Sequence, residues 1–153
     1  MKNTTERKST IMDNAFIDTN IWIYALVQEK KNVDKHLKAI ELLEKLRLTN
    51  KILISTQVIN EFHWVLLRKY NFKDNDILKK VEESILIISD IVPVDFEQYL
   101  SSAKIRDKYK LSFWDSIIVA SALKYNCKII YTEDLGHNQL FENKLKIIKP
   151  FYN

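Results

Sequence analysis

Short apolar runs rich in Ile, Val and aromatic residues recur near residues 14–18, 51–55, 91–94, 127–131 and 144–148, and helical periodicity fills the intervals. Ala39, Leu42, Leu43 and Leu46 share one helix face while Lys38, Glu41 and Lys45 turn outward. Ile77, Val81, Ile85 and Ile88 form a second stripe, with Asp74 expected as its N-cap. Phe96, Tyr99, Leu100 and Ala103 form a third, and all three stripes are expected to face the core. Residues 112–125 are apolar nearly all round, which predicts the most buried helix. Strands alternating with helices imply an α/β fold, a three-layer α/β/α sandwich with a mostly parallel central sheet. No repeat, low-complexity tract or Gly/Ser linker divides the chain, so residues 13–153 are expected to form a single domain. Residues 1–12 are polar and read as a disordered leader, with Met12 an alternative start.

Composition narrows the chemistry by exclusion. With one glycine, Gly136, neither a dinucleotide-binding fingerprint nor a Walker A loop can be written. With one cysteine, Cys127, there is no internal disulfide and no zinc cluster, and its place at the start of an apolar strand predicts a buried thiol. No apolar stretch reaches the length of a membrane span and the polar start lacks a signal-peptide core, so a cytoplasmic protein is expected. The net charge is +4, of which the leader holds +2.

Four acids can be argued onto one rim of the sheet. Asp18 ends the first strand in Phe16-Ile17-Asp18-Thr19-Asn20, at the carboxyl end where open α/β sheets bind ligands. Helix capping alone would also account for an Asp, Thr and Asn there. Glu61 lies six residues beyond Ser55, the end of the second strand, hence within roughly 9 Å of the start of its helix. Its neighbours Ile59, Phe62 and Val65 are apolar, which leaves that helix little free surface. The 112–125 helix runs into the fourth strand through Tyr125-Asn126, so it must descend toward the bottom of the sheet. Its N-terminus, with Ser112 and Asp115, therefore lies at the top rim, where Asp115 also suits a cap-like pair beside the positive helix end. Asp134 follows the fourth strand in Tyr131-Thr132-Glu133-Asp134-Leu135, with Glu133 as its local rival.

Carboxylates this close repel, and a cation relieves the repulsion. Oxygen donors without Cys or His at ligand spacing point to Mg²⁺ or Mn²⁺ rather than zinc. Such a site can make a nucleophile of a bound water and clamp a phosphodiester. Four acids in one cleft would leave the rest of residues 13–153 at about +6, a body suited to a polyanion. His36, His63 and His137 are scattered and are expected to be surface or satisfied histidines, and no Ser/His/Asp or Cys/His arrangement stands out.

Asp18-Thr19-Asn20, Ser55-Thr56-Gln57-Val58-Ile59-Asn60-Glu61-Phe62, Ser112-Phe113-Trp114-Asp115, Thr132-Glu133-Asp134-Leu135 and the Pro150-Phe151 ending occur in that order. Over about residues 14–151 the set resembles the PIN-domain family, specifically the VapC-type ribonuclease toxins of bacterial type II toxin–antitoxin systems. The resemblance implies a PIN-like fold and a Mg²⁺- or Mn²⁺-dependent endoribonuclease acting on RNA. It further implies a homodimer, silenced by a small antitoxin that places a basic residue in the acidic cleft. It maps the catalytic, metal-holding acids onto Asp18, Glu61, Asp115 and Asp134, and the supporting polar positions onto Thr19, Asn20, Ser112 and Thr132. Related sequences often have glycine where Asn138 precedes Gln139; asparagine also tolerates a left-handed backbone.

Other readings stay open at this level. An α/β domain with an aspartyl nucleophile and Mg²⁺ fits poorly with Glu61 on a helix and Asp115 at a helix start. A PIN-like RNA- or protein-binding module without catalysis keeps every acid for another use. An RNA-processing nuclease without an antitoxin shares every residue with a toxin.

Overall fold

The computed structural model describes residues 11–152; of the leader expected over residues 1–12, all but Ile11 and Met12 lies outside the described residues. The chain forms β1 (Asn14–Ile17), α1 (Thr19–Leu26), α2 (Val33–Thr49), β2 (Lys51–Ser55) and α3 (Thr56–Arg68). It continues through α4 (Asp74–Lys80), a wider π turn over Val81–Ile85, α5 (Leu86–Ile88), β3 (Ser89–Val92), α6 (Phe96–Tyr109) and α7 (Phe113–Lys124). β4 (Cys127–Tyr131), β5 (Leu140–Phe141) and β6 (Leu145–Ile148) close it.

The six strands lie in the order β3-β2-β1-β4-β6-β5. All neighbours are parallel except β5, which runs antiparallel to β6. The chain therefore walks outward from β1 to β3, then returns across the sheet to β4. Right-handed crossovers place the α6–α7 return on the face opposite the outward helices, the three-layer arrangement expected. The reversal makes a crevice between β1 and β4 at their carboxyl ends.

Two helical stripes face the core as expected. Ala39, Leu43 and Leu46 are buried, with Leu42 packed against them. Ile77, Val81 and Ile85 are buried with Ile88 beside them. A spacing of four drifts around an ordinary helix of 3.6 residues per turn. The π turn, whose Leu86 N–H donates to the Val81 carbonyl, widens the turn and reduces the drift. Asp74 is not the N-cap. It is the first residue of α4 and its carboxylate bonds His63 Nε2 at 2.7 Å, because the His63 ring on α3 offers a partner that the backbone would otherwise supply.

The third stripe is a correction. Phe96, Tyr99 and Leu100 are exposed, Phe96 at 72%, and Ala103 is exposed beside them. α6 instead turns Gln98, Ser102 and Ile105 inward. The decisive group is a capping box: the Gln98 N–H donates to Asp95 Oδ1 at 2.9 Å and the Asp95 N–H donates to Gln98 Oε1 at 2.8 Å. The Gln98 amide then reaches the Ser121 hydroxyl on α7 at 3.0 Å, so a polar, satisfied face packs on α7. Replacing Asp95 by alanine should lower stability by about 1 kcal/mol, a fall of roughly 2–4 °C in melting temperature for a domain of this size. An unchanged melting curve would show that the cap contributes nothing.

The apolar run at 91–94 yields a strand two residues earlier, because Pro93 has no N–H to pair and ends it. Residues 116–122 of α7 are all buried, as the unbroken apolar pattern predicts. Among the described residues, four of the six in the left-handed region are asparagines, Asn71, Asn126, Asn138 and Asn143. In a chain with one glycine, asparagine takes the turns that glycine usually takes, and Asn138 does so at φ 63°.

Candidate active site

Ile17 stands opposite Tyr131 in the β1–β4 ladder, so the next residue of each strand, Asp18 and Thr132, meet at the crevice. The Asp18 N–H continues the ladder to the Tyr131 carbonyl at 3.0 Å. Its side chain is the N-cap of α1, accepting from the Thr19 N–H at 2.7 Å through Oδ1 and from the Thr132 hydroxyl at 2.7 Å through Oδ2. Capping and site formation are thus the same act. The cap fixes the carboxylate at the mouth of the crevice.

Thr19 and Asn20, in the first turn of α1, extend the network. The Thr19 hydroxyl donates to Glu61 Oε2 at 2.9 Å, and the Asn20 amide donates to Asp134 Oδ2 at 3.1 Å and to the Thr132 hydroxyl at 3.4 Å. The Glu133 N–H donates to Asn20 Oδ1 at 3.3 Å. α7 begins at the same rim, and Ser112 caps it by accepting from the Asp115 N–H at 3.1 Å. Asp18, Glu61, Asp115 and Asp134 all line one cavity of about 280 Å³, with Thr19 and Asn20 in its wall. Ser112 and Thr132 stand behind it, holding Asp115 and Asp18.

The rivalry between Glu133 and Asp134 is resolved by direction. Glu133 forms an ion pair with Lys35, which also donates to the Tyr24 hydroxyl at 3.2 Å, whereas Asp134 lines the cavity. The histidines stay outside. His36 bonds the Tyr24 carbonyl, His63 bonds Asp74, and His137 accepts from the Lys149 N–H and stacks on Tyr152. Cys127 is buried and its thiol is pushed up to about 12 by that burial, an inert core residue as expected.

The cavity is electrostatically acidic. Burial pushes the Asp18 carboxyl from an ordinary 3.8 up to about 7. The hydrogen bonds from Thr132 and the Thr19 N–H pull it down, and the charges of Asp134 and Glu61 add to the rise. Asp134 is raised as well, by partial desolvation first and then by Asp115, Glu133 and Glu61, against the Asn20 amide. Among the described residues no Lys or Arg lines the cavity. Among the described residues no three Asp, Glu, His or Cys side chains converge tightly enough to hold an ion where they stand. The donor set is nevertheless all oxygen and short of positive charge, which fits a hard divalent cation.

A family model for the PIN domain matches residues 15–141. The chain belongs to the PIN-domain family. This PIN domain is similar in structure to VapBC2 from Rickettsia felis bound to a promoter DNA fragment, with TM-score 0.65 and 20% identity over 89% of this chain and 99% of that one. It is similar to FitAcB from Neisseria gonorrhoeae, TM-score 0.65 and 20% identity over 91% and 99%. It is also similar to VapC20 from Mycobacterium tuberculosis, a toxin described as cleaving the sarcin–ricin loop, with TM-score 0.57 and 16% identity over 76% and 86%. At these identities the likeness carries the fold. Among curated proteins none matches the sequence.

One residue of this PIN domain went unassigned in the sequence. Gln57 lies one turn before Glu61 on α3, and its amide donates to Glu61 Oε1 at 2.9 Å and to the Trp114 carbonyl at 3.3 Å. It ties α3 to the start of α7 and holds Glu61 from the side opposite Thr19. Both acceptors fix the orientation of the amide, leaving Gln57 Oε1 buried without a donor. A Gln at i−4 to a Glu on one helix face is the signal available in the sequence.

Proposed function

We propose that this chain is a metal-dependent endoribonuclease, hydrolysing RNA phosphodiester bonds in the cytoplasm as the toxin of a toxin–antitoxin pair. The observation that carries the reading is a PIN-family sheet whose switch-point cavity is lined by Asp18, Glu61, Asp115 and Asp134 with no basic side chain among the described residues. The similarity in fold to the toxin VapC20 and to a toxin–antitoxin complex from Klebsiella pneumoniae supports the biological setting. No described helix is long and apolar enough to cross a membrane.

Asp18, Glu61, Asp115 and Asp134 would hold Mg²⁺ or Mn²⁺, which supplies an activated water and neutralises charge on the phosphodiester. The residues of the chain do the rest. Thr19 and Gln57 orient the two oxygens of Glu61 from opposite sides. Thr132 and the Thr19 N–H fix both oxygens of Asp18. Asn20 aims Asp134, and Ser112 sets the turn that presents Asp115. The basic surplus outside the cleft attracts RNA, while the acids repel it until a cation intervenes. A small antitoxin with a basic side chain would complement the same cavity. The exposed apolar face of α6, Phe96 with Tyr99 and Leu100, gives a second copy a surface to cover, consistent with a homodimer.

The test is the chemistry of the cut. No histidine reaches the cavity to move a proton from a 2′-hydroxyl, so hydrolysis should leave a 5′-phosphate and a 3′-hydroxyl. An oligonucleotide with a 2′-deoxy sugar at the cut site should still be cleaved, more slowly if the 2′-hydroxyl aids recognition. A 2′,3′-cyclic phosphate on the product overturns the mechanism.

A further inference from the structure

Beside the acidic cavity lies a larger open one of about 650 Å³, and Gln57, Glu61 and Trp114 line both. The two are compartments of one cleft, with α3 and the start of α7 as the common wall. Two of the three tryptophans of the chain line the larger compartment and are exposed, Trp64 at 61% and Trp114 at 60%, whereas Trp22 is buried in the core. An indole left largely in water presents apolar surface that a ligand can cover. Trp64 also carries the Arg68 guanidinium 5.1 Å from its ring centre, a cation held over an aromatic face. Asn60, exposed one turn before Trp64, offers an amide with both donors and an acceptor at the same wall. Gln57 Oε1, the acceptor without a donor, belongs to the wall between the compartments.

We propose that the larger compartment is a subsite for one unpaired nucleobase of the RNA, next to the phosphodiester held in the acidic compartment, with Trp64 as its stacking platform. The inference rests on the ribonuclease reading above and adds the place where this chain holds a base of the strand. Stacking on an indole needs a base with a free face, so the strand at the cut is single-stranded or looped. Asn60 meets the base edge, and Arg68 over the Trp64 ring supplies a positive charge beside the strand. A protein partner would use the apolar walls but has no need of a path into the acids, whereas an RNA strand must occupy both compartments to be cut between them.

The experiment measures binding rather than turnover. Full-length protein carrying Asp115→Asn, which removes cleavage, is titrated in Mg²⁺ with a fluorescein-labelled single-stranded 12-nucleotide RNA of mixed sequence. The same RNA is also used with an abasic residue at each position in turn. Adding Trp64→Ala should weaken the intact RNA about tenfold, within the range of one lost base–aromatic stack. Adding Trp64→Phe should restore most of the affinity. Abasic placement at one position should produce the same loss in the Trp64 parent and no further loss in Trp64→Ala. Equal affinity for Trp64→Ala and its parent overturns the subsite, as does a loss that no abasic position reproduces. Loss of binding to a peptide partner with RNA affinity unchanged assigns the groove to protein and also overturns it. Failure of the unsubstituted protein to cleave any RNA overturns the ribonuclease reading itself, a result distinguishable from normal cleavage with a dispensable Trp64.

Discussion

Replacing Asp115 by asparagine should abolish RNA cleavage and leave the melting temperature within a few degrees of the parent. The amide keeps the size of the side chain. The helix cap survives because Ser112 accepts from the Asp115 backbone N–H, not from its carboxylate. Two opposing charge effects nearly cancel. The substitution removes a negative charge from the positive end of α7, worth about 0.3–1 kcal/mol, but it also removes repulsion on Asp134. What is lost is an anionic oxygen donor in a cavity whose other acids are tied to Thr19, Gln57, Asn20 and Thr132. Cleavage and thermal melting measured on the same preparations decide the matter. Parental activity in Asp115→Asn would end the assignment of the cavity as the active site.

Chelation should silence the protein, and Mg²⁺ or Mn²⁺ should restore it. The larger readout is stability. In the metal-free fold the Asp18 carboxyl is held at about 7, while the unfolded chain releases that proton near the ordinary 3.8. Between those values the folded state binds more protons, so its stability falls as pH rises and levels off above about 7. The metal-free melting temperature should therefore drop from about pH 5.5 to about pH 8. Added Mg²⁺ should recover more of it at the higher pH, because a cation binds the folded carboxylates and not the unfolded chain. Cleavage that survives exhaustive chelation sinks the metal dependence. A metal-free melting temperature that climbs over the same pH interval refutes the strained carboxylate.

Much of the site was legible because its residues serve local structure as well. Asp18 caps α1, Ser112 caps α7, and strand ends announce themselves where an apolar run stops at polar residues. The rim position of Asp115 followed from the direction α7 must take to reach β4, and the structure puts it there. What escaped depended on side-chain direction. Glu133 and Asp134 are adjacent and chemically alike, and partners far along the chain, Lys35 for Glu133 and Asn20 for Asp134, separate their roles. α6 misled because four of its apolar residues share a face, yet a buried glutamine satisfied by a capping box and by Ser121, with Ile105 beside it, made the opposite face the one to bury. β5, two residues long, has too little pattern to read.

The hydrogen bond from Thr132 to Asp18 joins residues 114 positions apart, and the Asn20–Asp134 bond spans the same distance. A ribosome delivers the chain from its amino end at about 5–20 residues per second. Asp18 and Glu61 therefore leave the exit tunnel long before the strand that brings Thr132 and Asp134. During that interval no partial fold of β1 to β3 contains a finished cleft, since β4 must insert beside β1 to complete it. Under the proposed activity, the enzyme would stay without a finished site until β4 has emerged and taken its place beside β1.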